Sequence, residues 1–404
     1  MSDLLNQFLS ERYYAPCKYG YPLGPNQCQC YQTYTGKYCT KSHAPAQINA
    51  TDSQVTLASH WLQKYVGTYC TPAAYELNYL STTGPHSSLV LSPKSWTENS
   101  PDGSGVPLPT EPISKGLYLN LLHLHETVGN ANAKNKFIVI ADGCTQIVTA
   151  LIYAVMKKRG KISVSAPAPH WPKFKTIPSF VPNCTFETTD QPSDLSFITL
   201  PNNPDGSMEL DPLMLQAKTV AYDLVYYWPS YLWQQPCLKR DDEIMLFSLS
   251  KFAAASATRF GWALVKDEEL AQNMAEYIKG TQLDLSVDIQ HRALHIISHI
   301  NRYLGQKEDL LSYLAKELQL RWLVLLKLFE LKKDWQVATT EPAGFIIWIK
   351  AKTNNVDAYQ AFKKIGVTGE PGTVFGATAA YVRLNIGMEQ PVFMKMMQRL
   401  NLLI

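Results

Sequence analysis

Between residues 137 and 166 the chain reads Phe137-Ile138-Val139-Ile140-Ala141-Asp142-Gly143-Cys144-Thr145-Gln146, then a helix-forming run to Gly160, then Ile162-Ser163-Val164-Ser165-Ala166. Two short apolar runs separated by a glycine turn and a helical stretch have the pattern of strand, helix and strand in a sheet covered on both faces. Strands are expected at Phe137–Ala141 and Ile162–Ala166, with a helix from about Thr145 to Lys158 that Gly143 opens and Gly160 closes. A further helix is expected upstream, through Leu117–Val128. Downstream, apolar runs near Phe197–Leu200, Thr219–Tyr222, Met245–Ser248 and Trp262–Lys266 continue the alternation. The expected fold class is therefore α/β, with a large doubly wound sheet.

After Asp288 the texture changes to long helices, with Leu310, Leu311, Leu314, Leu318, Leu325 and Leu328 at helical spacing within 310–333. Strands at Gly344–Ile349 and Tyr381–Ile386 then alternate with helices near Val356–Lys364 and Val392–Leu403, the signature of a smaller α+β domain. The organisation expected is a cysteine-rich module at 13–42, a polar linker at 43–56, a large domain at 57–286 whose N-terminal segment packs on the small domain, and a small domain at 287–404. The stretch from Ser92 to Lys115, with seven prolines and glycines that include Pro93, Gly103 and Pro112, reads as a functional loop or lid.

The chain has 404 residues, 46% of them hydrophobic and 18% charged, enough for a large core and too apolar for a disordered protein. Lys and Arg number 37 against 34 Asp and Glu, and the resulting +3 is too weak to make nucleic acid or an anionic membrane the main partner. Small-molecule chemistry is the expectation. No apolar run approaches the ~20 residues of a membrane span. The start, Met1-Ser2-Asp3-Leu4-Leu5-Asn6, has no basic region followed by an apolar stretch, so the chain is expected either to be intracellular or to have lost a signal peptide.

The chemistry centres on Lys251, in Ile244-Met245-Leu246-Phe247-Ser248-Leu249-Ser250-Lys251-Phe252. A lysine at the mouth of an apolar strand can be desolvated, which lowers its pKa and frees the amine for Schiff-base chemistry. An isolated lysine near a strand end is usually only a solvated charge, so its surroundings decide. Ser248, three residues before it, and Arg259, eight after, can reach one phosphate. Asp142-Gly143-Cys144-Thr145-Gln146 is a strand-to-helix turn whose free backbone N–H groups can hold a dianion. Pro201-Asn202-Asn203-Pro204-Asp205-Gly206 is a tight loop that places Asn203 to donate to an anionic oxygen. Tyr222-Asp223-Leu224-Val225-Tyr226 ends a strand with a carboxylate and, three residues on, a phenol.

These motifs, with Leu124-His125-Glu126-Thr127-Val128-Gly129-Asn130-Ala131, Tyr226-Tyr227-Trp228-Pro229, Arg259-Phe260-Gly261-Trp262-Ala263-Leu264 and Tyr381-Val382-Arg383-Leu384, occur in an order that resembles the alliinase and tryptophan-aminotransferase-related family. These are pyridoxal-phosphate enzymes of the aspartate aminotransferase fold, fold type I. The resemblance runs from about residue 117 to the C-terminus. It implies that Lys251 carries the cofactor and removes the Cα proton of the substrate, and that Asp223 pairs with the pyridine nitrogen. Asn203 and Tyr226 would hydrogen-bond the ring oxygen, Tyr226 also acting in catalysis. Ser248, Arg259 and the backbone of Gly143, Cys144 and Thr145 would hold the phosphate, and Trp171 would stack on the ring. Arg383, together with Asn203, would bind the substrate α-carboxylate, a bidentate task suited to guanidinium. His125 and Glu126 are given no chemistry. The resemblance also implies a homodimer and a small amino-acid substrate.

Cys28-Gln29-Cys30 through Tyr34-Thr35-Gly36-Lys37-Tyr38-Cys39 has the one-residue then eight-residue cysteine spacing and the aromatic-x-Gly turn of an EGF-like module, and resembles its C-terminal half. The module resembles the one that precedes the alliinase catalytic domain. The analogy implies the disulfides Cys17–Cys28 and Cys30–Cys39, with the other two pairings of four cysteines open. Zinc is the competing reading, but paired C-x2-C knuckles are missing and the nearest histidine is His43, so no metal is expected. The sequons at Asn49 and Asn183 are compatible with glycosylation on a secretory route, vacuolar or extracellular, if a signal peptide has been removed. Cys70, Cys144, Cys184 and Cys237 read as small buried hydrophobes.

Two departures stand out. After the lysine the family usually has Thr-Gly-His-x-Gly-Ser-Arg, whereas this chain has Ala253-Ala254-Ala255-Ser256-Ala257-Thr258-Arg259. The family's Met-Ser-Tyr-Phe segment, whose tyrosine reaches the Schiff base, has no clear counterpart around Trp96. Two activities follow from the resemblance. A carbon–sulfur lyase of the alliinase type would release pyruvate and ammonia from S-substituted cysteines or their sulfoxides, and the cysteine module favours it. An aminotransferase acting on tryptophan or another L-amino acid with a 2-oxo acid acceptor is the alternative. A third class, a binding protein that has lost activity, is opposed by the joint presence of Lys251, Asp223, Asn203 and Arg259.

Overall fold

The computed structural model describes residues 115–403 apart from 188–190, 209–215, 233–235, 284, 307–308, 340–341 and 354, together with short stretches at 20–24, 27–30, 34–35, 41–42 and 48–51. Cys17, Cys39, Trp96 and the whole of the 57–112 region lie outside the described residues. The described chain divides into two compact units. The larger holds Ser53–Lys316 and Glu341–Phe345, the smaller Met1–Asp52, Glu317–Thr340 and Ile346–Ile404.

The larger unit begins with helix α1 (Lys115–Val128) and strand β1 (Phe137–Asp142), followed by helix α2 (Gly143–Arg159). Helix α2 buries Ile147, Val148, Leu151, Ala154 and Val155 and ends on Lys157, Lys158 and Arg159, cations that suit the negative end of the helix dipole. Gly160, at φ 79°, stops it by donating its N–H to the Met156 carbonyl at 2.6 Å. Strands β2 (Ile162–Ser165), β3 (Cys184–Glu187), β4 (Leu195–Thr199), β5 (Val220–Asp223), β6 (Ile244–Ser248) and β7 (Phe260–Val265) complete a seven-stranded sheet in the order β1-β7-β6-β5-β4-β2-β3. Strands β4, β6 and β7 are buried at every residue, which is why they read as unbroken apolar runs instead of alternating ones.

Neighbouring strands from β3 through β6 run parallel, whereas β7 is antiparallel to both β6 and β1. Its register pairs Ser248 with Gly261 and Asp142 with Phe260. The start of β7 therefore lies level with the C-terminal ends of β1 and β6, the edge where open α/β sheets bind ligands. Helix α3 (Glu268–Gln282) covers α2 and is capped by Asp267, whose carboxylate accepts from the Leu270 N–H at 2.6 Å. Helix α4 (Val287–Tyr303) lies against α1, with Asn301 donating to the Asn120 carbonyl at 3.0 Å. This pairing groups α4 with the larger unit, whereas the sequence alone drew a boundary at residue 287. Helix α5 (Leu310–Glu330) follows.

In the smaller unit, strands β8 (Trp335–Val337) and β9 (Ile346–Ala351), helix α6 (Ala358–Lys364), strands β10 (Glu370–Pro371) and β11 (Tyr381–Asn385) and helix α7 (Gln390–Asn401) follow one another. The four strands make an antiparallel sheet ordered β8-β9-β11-β10. Ile48–Asn49, within the stretch expected as linker, pairs parallel with Val367–Thr368, and the Asn385 N–H bonds to the Ala50 carbonyl at 2.9 Å. Near the N-terminus Gly20–Gly24 pairs antiparallel with Gln27–Cys30, setting Pro22 opposite Cys28. The cysteine side chains of that segment, and so the expected disulfides, lie outside what is described.

Candidate active site

The rim of the large sheet is built by two glycines. Gly143 opens α2 at φ +73°, and a Cβ there would stand 2.5 Å from Nη2 of Arg259. On β7, a Cβ at Gly261 would stand 2.6 Å from both the Cys144 nitrogen and the Gly143 carbonyl carbon. Only glycine lets the strand run this close to the start of α2, whose first N–H groups have no partner within the helix. Arg259, itself left-handed at φ 53°, lays its guanidinium over this turn, with Nη2 donating to the Asp142 carbonyl at 3.4 Å and Nε 3.5 Å from the Asp142 carboxylate. A half-exposed cation and the free end of a 17-residue helix thus face one spot, the arrangement that binds phosphate.

Ser248 ends β6 and is buried. Its hydroxyl accepts from the Ser250 N–H at 3.1 Å and caps the short helix Leu249–Phe252 that carries Lys251. Lys251 places its Nζ 5.9 Å from the centre of the Tyr226 ring. Tyr231 supports the lysine from behind, donating its hydroxyl to the Lys251 carbonyl at 2.8 Å. Nothing in the sequence marks a tyrosine as a backbone clamp, and this one escaped the reading of the sequence. Tyr226 is buried edge-on to Phe345, 5.6 Å between centroids.

Asp223, at the end of β5, is only 4% exposed. Burial pushes its carboxyl up to about 7, held back by the Val225 N–H at 3.3 Å, the charge of Lys251 and the thiol of Cys144. The Cys144 Sγ lies 3.9 Å from Asp223 Oδ1, and burial, then the neighbouring carboxylate, raise that thiol well above its ordinary value. Asn203 is buried in a loop tied by Asn202, which donates to Asp205 Oδ1 and to the Pro169 carbonyl, both at 2.9 Å. The second bond joins the Asn203 loop to the segment that bears Trp171. Trp171 meets Phe174 edge-on at 5.2 Å and packs on the apolar core. Thr145 lies in the first turn of α2.

Behind the rim His125 is fully buried. The Trp262 indole N–H donates to its Nε2 at 2.9 Å, so Nδ1 carries the proton and donates to Asn130 Oδ1 at 2.8 Å. Asn130 in turn donates to the Tyr227 carbonyl at 3.0 Å, fixing the segment that bears Tyr226. Burial pushes the His125 pKa down to about 4, against the bond to Asn130, which raises it. Glu126 points outward to Lys134 at 2.7 Å.

The structure therefore brings Gly143, Cys144, Asp223, Tyr226, Ser248, Lys251 and Arg259 to one edge of one sheet. Arg383 belongs to the smaller unit. It is buried on β11, donating to the Thr51 carbonyl at 3.1 Å with its guanidinium 4.9 Å over the Phe375 ring. Of the two sequons, Asn183 is exposed in the turn before β3; the Asn49 side chain lies outside the described residues. Among the described residues Cys144, Cys184 and Cys237 are free thiols, and no cluster of metal ligands occurs. No described helix is long and apolar enough to cross a membrane.

A family model described as allinase matches residues 110–404. Among curated proteins the chain is 28% identical to tryptophan aminotransferase-related protein 3 of Arabidopsis thaliana, over 92% of this chain and 81% of that one. It is 26% identical to the alliin lyase of Allium cepa var. aggregatum, over 94% and 87% of the two chains. Among solved structures it is similar to a Thermus thermophilus aspartate aminotransferase double mutant, with a TM-score of 0.62 at 14% identity over 89% of this chain and 92% of that one. The multiple substrate aminotransferase of Thermococcus profundus is similar with a TM-score of 0.63, at 14% identity over 89% and 91%.

Proposed function

The chain belongs to the allinase family and is a pyridoxal-phosphate-dependent enzyme of the aspartate aminotransferase fold, and from that premise we propose that it is a carbon–sulfur lyase acting on S-substituted cysteines or their sulfoxides. The observation that carries the proposal is the alignment with alliin lyase over 94% of the chain.

The residues at the sheet edge fit the cofactor. A cradle that two Cβ atoms would fill, an arginine over a helix start, and a carboxylate 4% exposed suit a phosphate at one end and a protonated ring nitrogen at the other. When bound, the cofactor supplies an electron sink for the negative charge left at Cα once its proton is removed. In this reading the Gly143, Cys144 and Thr145 backbone, the Ser248 hydroxyl and Arg259 hold the phosphate. Asp223 would keep the pyridine nitrogen protonated, Asn203 and Tyr226 would donate to the ring oxygen, and Trp171 would stack on the ring. Lys251 would hold the cofactor through its amine and take the Cα proton, from a backbone whose carbonyl accepts from Tyr231. Arg383 binds the substrate carboxylate. Departure of the sulfur group from Cβ would leave aminoacrylate, which water hydrolyses to pyruvate and ammonia. The enzyme works as a homodimer on a small amino-acid substrate.

The aminotransferase alternative is favoured by the 28% identity to a tryptophan aminotransferase-related protein. Product analysis separates the two. Cofactor-loaded chain is mixed with an S-alkyl-cysteine sulfoxide and, separately, with tryptophan plus a 2-oxo acid. Pyruvate and ammonia from the sulfoxide support the lyase; a new amino acid made from the oxo acid without sulfur release overturns it.

A further inference from the structure

Cys144 is the one polar side chain that α2 turns toward Asp223 among the contacts described above, and its backbone is held against Gly261 of β7. A carboxylate buried to 4% exposure is costly to ionise, and each donor aimed at it offsets part of that cost. Among the described residues three groups act on the Asp223 carboxylate. The Val225 N–H comes from its own strand exit, Lys251 acts from the turn after β6, and the Cys144 S–H comes from α2; Arg259, ahead of β7, acts on Cys144 in turn. The thiol stays protonated at neutral pH, because burial and the adjacent carboxylate oppose its ionisation. It therefore acts as a donor and not as a second negative charge.

We propose that the Cys144 thiol is a positioning residue, which donates its S–H to the Asp223 carboxylate and holds it ionised and aimed for the pyridine nitrogen of the cofactor. The inference rests on the reading that Asp223 pairs with that nitrogen. It goes beyond the backbone role of residues 143–145, since it assigns work to the side chain.

The test is cofactor binding to apoenzyme, read from the absorbance of bound pyridoxal phosphate between pH ~5.5 and ~9 for wild type, Cys144→Ala, Cys144→Ser and Asp223→Ala. Cys144→Ala is expected to weaken binding about threefold to tenfold at neutral pH and to move the acid limb of the binding curve upward. Cys144→Ser, which keeps an O–H donor, is expected to bind as wild type does. The proposal is overturned if Cys144→Ala follows wild type at every pH, or if Cys144→Ser is as weak as Cys144→Ala, which would make the role one of packing. Cys144→Val, which leaves no cavity and carries no donor, replaces Cys144→Ala in the comparison if the smaller side chain lowers the unfolding midpoint. If Asp223→Ala binds as wild type does, the reading of Asp223 fails; if only Asp223→Ala changes, that reading stands and the Cys144 inference fails.

Discussion

His125 offers the sharpest link between a buried contact and a bulk measurement. Replacing it with Gln keeps one N–H for Asn130 and one oxygen for the Trp262 indole but removes the titratable ring. Because the folded pKa of His125, about 4, lies below its ordinary 6.5, its contribution to stability is fully present above pH 6.5 and is lost as pH falls toward 4. The gap at ~1.36 kcal/mol for each pH unit is worth about 3 kcal/mol in all, of which about 2 kcal/mol is gone by pH ~5. Asp223 works in the opposite sense. Its folded pKa of about 7 lies above the ordinary 3.8, so without cofactor the folded chain takes up its proton first and gains roughly 2 kcal/mol between pH ~7.5 and ~5. The two contributions nearly cancel in the wild type, and the variant exposes the second. Urea unfolding of both cofactor-free chains at the two pH values is the assay. His125→Gln, less stable than wild type at pH ~7.5, is expected to recover about 2 kcal/mol relative to it at pH ~5. A stability difference that is the same at both pH values would refute the assignment of a neutral, buried His125.

At Gly261 a methyl group meets the Gly143–Cys144 peptide at 2.6 Å, so Gly261→Ala is expected to cost about 3 kcal/mol and to lose cofactor retention, read by urea midpoint and gel-filtered absorbance. Gly143→Ala meets only the movable end of Arg259, and is expected to cost ~1–2 kcal/mol for the left-handed backbone while weakening phosphate binding, read by cofactor titration. Tyr231→Phe removes a single donor to the Lys251 carbonyl; about 1 kcal/mol of local support is lost, and turnover should fall several-fold with the bound cofactor's spectrum retained.

The sheet was legible because β4, β6 and β7 are covered on both faces and so leave continuous apolar runs in the sequence. Local pattern also marked Gly143 and Gly160 as the ends of α2. The reversed direction of β7 left no such mark, since a strand buried on both faces looks the same read either way. Its start at Phe260, two residues ahead of the Trp262 expected, follows from the left-handed turn at Arg259, a residue type that gives no turn signal. Lys251, Asp223 and Arg259 were singled out by their places near strand ends together with the family resemblance, and all three lie at one edge of the sheet. The closeness of Cys144 to Asp223 was not, because it depends on how β1, β7, β6 and β5 are ordered side by side. The grouping of 48–51 with the C-terminal strands was likewise invisible, as a two-residue strand carries no periodicity.

The antiparallel strand β7 sets a timetable for the ribosome-born chain. Arg259 reaches the Asp142 carbonyl across 117 positions of sequence, and every intervening strand of the rim must be made before that arch can close. Loop closure over such a span is slow compared with the folding of α2 or of the parallel pairs. The rim where Arg259 meets the start of α2 is thus the last part of the sheet to be synthesised, and a nascent chain that stops short of residue 259 holds Gly143 and Asp223 without the guanidinium that covers that turn.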